Sequence, residues 1–171
     1  MMERHLFLIG MPGSGKSSLG RRAANDLGLP YVDTDGWITT SFGCPVTDIF
    51  DQYGQDAFRR AETNLLIQLT RETPAIVSTG GGMILREENR AIMQSSGMIL
   101  LIDRPLEDIM SDIKLERRPL LAQKGLGEVE RLYHERIDIY RAAADVVLRN
   151  SNGYHNAMTA LEQFIKWQFS V

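Results

Sequence analysis

The amino-acid sequence predicts an α/β fold in which helices cover both faces of a parallel sheet. Short runs of aliphatic residues alternate along the chain with segments of helical periodicity, a pattern typical of successive βαβ units. The chain has 171 residues, of which 43% are hydrophobic and 24% are charged. That length and composition are typical of one globular domain, so we expect a single domain over residues 1–171.

Five strands and six longer helices account for most of the chain. The first helix is expected to end at Gly28, because glycine followed by Pro30 is a common helix stop, and Gly97 ends another helix. The predicted strands are Leu6–Ile9, Tyr31–Asp33, Ala75–Ser78, Met98–Ile102 and Val146–Leu148. The predicted helices are Lys16–Leu27, Asp56–Thr70, Arg86–Ser95, Pro105–Lys114, Glu128–Ala143 and Asn156–Phe169, with short helical turns at Trp37–Phe42 and Val46–Tyr53.

Charge and cysteine content exclude several classes of protein. The net charge of −3 creates no basic field that would attract nucleic acid, and the single cysteine, Cys44, permits no internal disulfide. The first residues show no pattern of a cleavable leader, and the longest apolar runs are too short to span a bilayer. We therefore expect a cytoplasmic protein that binds neither nucleic acid nor membrane. We also expect a monomer.

A glycine-rich loop, GMPGSGKSS, directly follows the first predicted strand. It matches G-x-x-x-x-G-K-[ST], with Gly10, Gly15, Lys16 and Ser17 in the required places, and a helical pattern comes next. In such a P-loop the backbone N–H groups face phosphate oxygens, the lysine reaches the β- and γ-phosphates and the serine ligates Mg²⁺. The sequence therefore predicts a site for a nucleoside triphosphate. Its expected residues are Gly13, Ser14, Gly15, Lys16, Ser17 and Ser18.

Three further strands end in residues that suit a ligand site at the carboxyl edge of the sheet. Asp33 and Asp35 close the second strand in VDTDG, where one carboxylate could hold Mg²⁺ through water and the other could accept a hydroxyl proton. Asp35 could equally cap the helix that follows. The third strand runs into Gly80–Gly82, which either offers bare backbone N–H groups to a small substrate or is a flexible connector. Asp103, after the fourth strand, is expected to cap the helix that starts at Pro105.

The arginines of interest fall into three places, and each alone is typical of a solvated surface. They are Arg59 with Arg60, Arg117 with Arg118, and Arg136. If they converge, their guanidinium groups would form a bidentate site for a carboxylate or a phosphate. The second pair lies in KLERRPLLAQKGLGE, a charged segment with glycines that suits either a mobile cover over a site or a plain solvated loop.

Six motifs in this order resemble those of the shikimate kinase family, and they span nearly the whole chain. They are GMPGSGKSS, DTDG at Asp33–Gly36, FRRAE at Phe58–Glu62, STGGG at Ser78–Gly82, RRPLL at Arg117–Leu121 and ERIDIY at Glu135–Tyr140. The resemblance implies a three-layer P-loop kinase fold of the nucleoside-monophosphate-kinase type. It implies a five-stranded parallel sheet in the order 2-3-1-4-5 and a mobile lid at about residues 112–127. It also implies Mg²⁺-ATP-dependent phosphorylation of the 3-hydroxyl of shikimate to shikimate 3-phosphate, in chorismate and aromatic amino acid biosynthesis.

The resemblance further implies a role for each matching residue. Lys16 and Ser17 hold phosphate and metal, and Asp33 supports the Mg²⁺ shell. Asp35 binds the ring hydroxyls next to the one that attacks, while Arg118 closes with the lid over the reacting phosphates. The expected catalytic residues are therefore Lys16, Asp35 and Arg118. The residues expected to bind the shikimate carboxylate, partly through backbone, are Arg59, Gly80, Gly81, Gly82 and Arg136.

The predicted pocket for the nucleotide base departs from the family pattern. Where the family usually has an arginine that stacks on adenine, this chain has Ser111, and the loop RNSNGYHN lacks the proline common on the other face of the base. Lys114 or the backbone of Asn150–Gly153 could replace these contacts. Because lysine stacks less well than arginine, we expect instead that adenine is held more loosely here.

Two other functions fit parts of the pattern. A kinase for another small hydroxy acid, such as gluconate, would share the scaffold, but Arg59, Arg136 and the glycine run favour shikimate. A guanine-binding switch protein would carry an Asn-Lys-x-Asp motif, which does not occur in the sequence. The sequence therefore favours a kinase that uses ATP and shikimate.

Overall fold

The computed structural model describes residues 2–112, 125–151 and 153–171. Within these residues five parallel strands form one sheet in the order β2-β3-β1-β4-β5. This order confirms the sheet implied by the family resemblance. The strands are β1 His5–Ile9, β2 Tyr31–Asp33, β3 Ile76–Ser78, β4 Gly97–Asp103 and β5 Val146–Arg149.

Eight α-helices and one 3₁₀ turn connect the strands in the described part of the chain. The predicted ends of the longer helices are confirmed within two residues, except that one of them, Lys114, lies outside the described residues. None of the described helices is both long enough and apolar enough to cross a membrane. The helices are α1 Lys16–Leu27, α2 Thr34–Phe42, α3 Val46–Tyr53, α4 Gln55–Leu69, α5 Glu87–Ser96, α6 Leu106–Asp112, α7 Leu126–Ala143 and α8 Tyr154–Phe169, and the 3₁₀ turn is Met83–Leu85.

Asp33 and Asp103, the last residues of β2 and β4, have helix-capping roles that differ from those predicted from the sequence. Helix α2 begins at Thr34, earlier than predicted, because the carboxylate of Asp33 accepts a hydrogen bond at 3.2 Å from a backbone N–H of its first turn. The expected cap at Asp103 is wrong. Asp103 is still part of β4, three positions before Leu106 begins α6, and its carboxylate accepts a hydrogen bond from Arg141 at 3.3 Å.

The side chains of β1 alternate between two hydrophobic clusters, one on each face of the sheet. Phe7 and Ile9 belong to the cluster formed with helices α2 to α7, whereas Leu6 and Leu8 belong to the cluster formed with α1 and α8. Because successive side chains of a strand point to opposite faces, this alternation places helices on both sides of the sheet. All four side chains are buried, so the sheet that contains β1 forms the middle of three layers.

The carboxyl ends of β1, β2 and β3 lie side by side, because these strands are parallel neighbours in the sheet. The P-loop follows β1, Asp33 ends β2, and β3 continues into Gly80–Gly82. Asp33 and Ser78 are register partners across the β2–β3 pair. Three of the motifs singled out in the sequence therefore meet at one edge, which is where ligands of open α/β sheets bind.

Candidate active site

The loop between β1 and α1 has the tight form that a phosphate-binding loop requires. Gly10 has a φ of 143°, and a Cβ at this position would lie 2.7 Å from the carbonyl oxygen of Ile102, so a larger residue would force the loop apart. Lys16 Nζ donates to the carbonyl oxygens of Gly10 and Met11 at 2.8 and 2.9 Å. The ammonium group of this lysine, which is only 7% exposed, is thereby fixed at the loop.

Asn150, directly after β5, holds the P-loop in place. Its Nδ2 donates to the carbonyl oxygen of Ser14 at 2.9 Å, and its backbone N–H donates to the carbonyl oxygen of Asp103 at 2.8 Å. Ser14 is fully buried, and its hydroxyl has no hydrogen-bond partner among the described residues. Sequence reasoning considered only the backbone of Asn150 and missed its amide. Its place at the end of the last strand was the available signal.

The predicted Mg²⁺ ligands are Ser17, in the first turn of α1, and Asp33, at the end of β2. Ser17 Oγ is 3.1 Å from Ser78 Oγ, and Ser78 is the register partner of Asp33. Hydroxyl and carboxylate oxygens are donors that Mg²⁺ prefers, and few protein ligands are needed because this ion keeps several waters. The residues present therefore fit Mg²⁺. Since Asp33 also caps α2, the capping role that had been open for Asp35 belongs to Asp33.

Asp35 and Glu62 direct carboxylate oxygens at the same point beside Gly80. A Cβ on Gly80 would clash with Asp35 Oδ1 and would lie 3.2 Å from Glu62 Oε1. Both oxygens are buried, and neither has a hydrogen-bond partner among the described residues. Burial raises the pKa of Asp35, and the charge of Asp33 adds to this rise. Burial also raises the pKa of Glu62 to about 7, although the charge of Arg59 opposes the shift.

Arg59 and Arg136 converge on the glycine run, a point that the sequence had left open. The guanidinium group of Arg59 occupies the space where a Cβ of Gly82 would stand. Arg136 Nη1 donates to the carbonyl oxygen of Gly81 at 3.4 Å. Two guanidinium groups, from α4 and α7, therefore meet at one loop, where together they can bind a carboxylate.

Two residues outside the predicted set support this arrangement. Glu62, whose side chain is fully buried, accepts a hydrogen bond from Arg59 Nη1 at 2.6 Å. Tyr140 Oη donates to the carbonyl oxygen of Gly81 at 2.5 Å, and burial raises the pKa of Tyr140 to about 12, so the hydroxyl keeps its proton. Each residue lies one helical turn after an arginine of the site, and that spacing was the signal available in the sequence.

A cavity of about 1090 Å³ lies over the glycine run and is lined by Asp35, Arg59, Glu62 and Arg136. Its apolar lining includes Phe50, Phe58 and Leu132. A second cavity, of about 460 Å³, is lined by the P-loop residues Gly13, Gly15 and Ser18. Because Pro12 of the same loop lines the first cavity, the P-loop borders both. A nucleotide and a small acid could therefore bind next to each other.

Of the remaining predicted residues that the structure describes, Arg60 and Ser111 line neither cavity. Arg60 is exposed, as expected. Arg117, Arg118 and most of the predicted lid lie outside the described residues. Ser111 is exposed, and its hydroxyl donates to the carbonyl oxygen of Asp108 at 3.0 Å.

A P-loop next to paired carboxylates and paired arginines suits phosphoryl transfer to a small acid. The family model described as shikimate kinase matches residues 12–166. The chain belongs to the shikimate kinase family. The shikimate kinase of Clostridium beijerinckii is 35% identical over 164 residues, which cover 96% of this chain and 96% of that protein. The shikimate kinase of Neisseria meningitidis serogroup C is 35% identical over 160 residues, covering 92% of this chain and 94% of that protein.

Solved structures of shikimate kinases share the fold. The enzyme from Acinetobacter baumannii, solved in complex with shikimate, has a TM-score of 0.86 at 27% identity and covers 98% of this chain and 93% of its own. The enzyme from Aquifex aeolicus has a TM-score of 0.79 at 27% identity and covers 96% of this chain and 97% of its own. The likeness extends over almost the entire chain.

Proposed function

We propose that this member of the shikimate kinase family transfers the γ-phosphoryl group of Mg²⁺-ATP to the 3-hydroxyl of shikimate, releasing shikimate 3-phosphate and ADP. The observation that carries the proposal is the meeting of Arg59, Arg136 and Asp35 around Gly80–Gly82, beside the P-loop. A pair of guanidinium groups and a buried carboxylate in one cavity suit an acid that also carries ring hydroxyls. The product would serve chorismate and aromatic amino acid biosynthesis.

Arg59 and Arg136 bind the carboxylate of the acceptor through charge-assisted hydrogen bonds. Glu62 orients the first arginine through the ion pair on α4. Tyr140, on α7, donates a hydrogen bond to the carbonyl oxygen of Gly81. This bond holds the glycine run against α7, the helix that also carries Arg136. The acceptor is therefore held at its acid end by groups that are already in position before it binds, and this preorganisation favours both affinity and rate.

Asp35 accepts a hydrogen bond from the attacking hydroxyl and takes its proton as the new bond forms. Burial raises the pKa of this carboxyl, which makes it a stronger proton acceptor than an ordinary aspartate. The nearby charges of Lys16 and Arg59 oppose that rise and favour the ionised form, which is the form that accepts a proton. Asp35 lines the same cavity as Arg59 and Arg136, so its carboxylate is available to an acceptor that binds there.

The P-loop positions the triphosphate, with the backbone of Gly13–Ser18 facing its oxygens and Lys16 neutralising charge on the group that moves. Ser17, and Asp33 through water, would hold Mg²⁺, which would supply positive charge to neutralise the phosphates of the nucleotide. Phosphoryl transfer depends mainly on positioning and charge neutralisation, and these residues contribute both on the donor side. Arg118, outside the described residues, is proposed to close with a lid over the phosphates and to keep out water. We further propose that the protein is a cytoplasmic monomer with a single domain.

ADP release by the purified protein tests this function directly. With ATP and Mg²⁺ present, added shikimate should stimulate ADP release, and gluconate, as the control acid, should not. Chelation of Mg²⁺ should stop the reaction. ATP binding without any shikimate-stimulated ADP release would refute the proposal, and faster release with gluconate would assign another acid to the cavity.

A further inference from the structure

Two flat side chains, Arg104 and Tyr154, line the second cavity beside the P-loop. Neither was considered from the sequence. They come from different elements, because Arg104 lies between β4 and α6 and Tyr154 is the first residue of α8. The cavity of about 460 Å³ is also lined by Gly13, Gly15 and Ser18. A triphosphate held by the P-loop would therefore have this space next to it for its nucleoside part.

Arg104 is fixed by two polar partners at the wall of this cavity. Its Nη1 donates to the carbonyl oxygen of Gly13 at 3.0 Å, and its Nη2 pairs with the carboxylate of Asp112, at the end of α6. The N–H bonds of a guanidinium lie in its plane, so these partners leave its two faces free of hydrogen bonds. With its side chain 20% exposed, Arg104 offers a rigid planar cation, which loses little conformational freedom when a ring stacks on it.

Tyr154 offers an aromatic face to the same cavity. Its hydroxyl donates to the carbonyl oxygen of Ser18 at 3.3 Å, which ties the far end of the ring to the first turn of α1. The residue is nevertheless 50% exposed, so much of the ring surface is open. A tethered and partly open aromatic ring next to a phosphate-binding loop is a suitable stacking surface for a nucleotide base.

The geometry points to Arg104 and Tyr154 as the residues that hold the base of the bound nucleotide, by stacking on its faces. This inference rests on the proposed function, because it names the base contacts of the same nucleotide. Ser111 is not among the described residues that line the cavity, and its hydroxyl bonds back to its own helix. Stacking on Arg104 and Tyr154 therefore takes the place of the looser binding of adenine that the sequence predicts. Since every base has a π face, such stacking selects poorly between ATP and GTP.

Calorimetry on the full chain without shikimate tests the base contacts. ATP is compared with inorganic tripolyphosphate, which has the phosphates but no base. In Arg104→Ala and in Tyr154→Ala, ATP affinity should fall about tenfold, or about 1.4 kcal/mol, and tripolyphosphate affinity should fall much less. Wild-type protein should bind ATP and GTP with similar affinity.

Conservative variants separate stacking from charge and from packing. Arg104→Lys keeps the charge but loses the planar face, so it should lose nearly as much ATP affinity as Arg104→Ala. Tyr154→Phe keeps the ring and should bind ATP more tightly than Tyr154→Ala. The matched control is Arg141→Ala, which also removes an arginine paired with one aspartate, Asp103, but lies outside the lining of the cavity. Its ATP affinity should equal that of the wild type.

Three results would overturn the inference. Equal losses for ATP and tripolyphosphate in Arg104→Ala would show that the arginine only shapes the P-loop through Gly13. Wild-type ATP affinity in Arg104→Lys would assign the effect to charge, and wild-type affinity in Tyr154→Ala would remove the ring from the site. Failure of the proposed function would look different, because wild-type protein would bind ATP while shikimate failed to stimulate ADP release.

Discussion

Replacing Glu62 with glutamine should change how the stability of the protein depends on pH. Glu62 is fully buried, and burial raises the pKa of its carboxyl from 4.5 to about 7, although Arg59 opposes the rise. The folded protein therefore holds this proton more tightly than the unfolded chain does. The stabilisation that the proton brings is complete below about pH 4.5 and is lost as the pH rises through about 7.

The size of the effect follows from the two pKa values. A rise from 4.5 to about 7, at about 1.4 kcal/mol for each tenfold change in proton affinity, lowers the free energy of unfolding by about 3 kcal/mol once the carboxyl is ionised. Glutamine has nearly the same shape and does not titrate, so Glu62→Gln should lack this loss. For a chain of this length the difference corresponds to a change in Tm on the order of 10 °C.

Urea unfolding of wild type and Glu62→Gln at several pH values between about 5 and 8 measures this difference. The free energy of unfolding of the wild type should fall relative to the variant as the pH rises. The variant also loses the ion pair with Arg59. That loss changes its free energy of unfolding by a similar amount at every pH in this range, so it does not alter the pH dependence. Glu72→Gln, an exposed glutamate just after α4, is the matched control and should follow the wild type. Parallel curves for wild type and Glu62→Gln would refute the reasoning.

Three further predictions concern turnover. Lys16→Ala should abolish ADP release while the folded state persists in circular dichroism, because the lysine neutralises charge on the transferred group; a near wild-type rate would contradict this. Arg136→Ala should weaken use of shikimate by about 2–5 kcal/mol in kcat/KM and leave ATP affinity nearly unchanged. An equal loss of ATP affinity by calorimetry would place this arginine elsewhere. Asp35→Asn should lower kcat far more than Arg60→Ala, since only the first faces the cavity; steady-state kinetics with the reverse ranking would exclude Asp35 as the proton acceptor.

The elements and the P-loop were predictable because each depends on residues that lie close together in the chain. The apolar run of β1 and the spacing of Gly10, Gly15 and Lys16 are local patterns, and the structure confirms the strand and the loop. The order of the strands came from the family resemblance, since no local pattern contains it. The candidate site residues at the strand ends were found from their place directly after predicted strands, and the family resemblance then assigned their roles.

Only the tertiary structure decided which side chains meet. Arg136 reaches Gly81 from 55 positions further along the chain, and Asn150 reaches Ser14 from 136 positions further along. Tertiary structure likewise brings Arg104 to the P-loop, 91 positions away. The periodicity of a helix or strand determines which face of its own element a side chain occupies. Its distance to another element depends on how the helices and the sheet pack together, and that packing is set by the whole core.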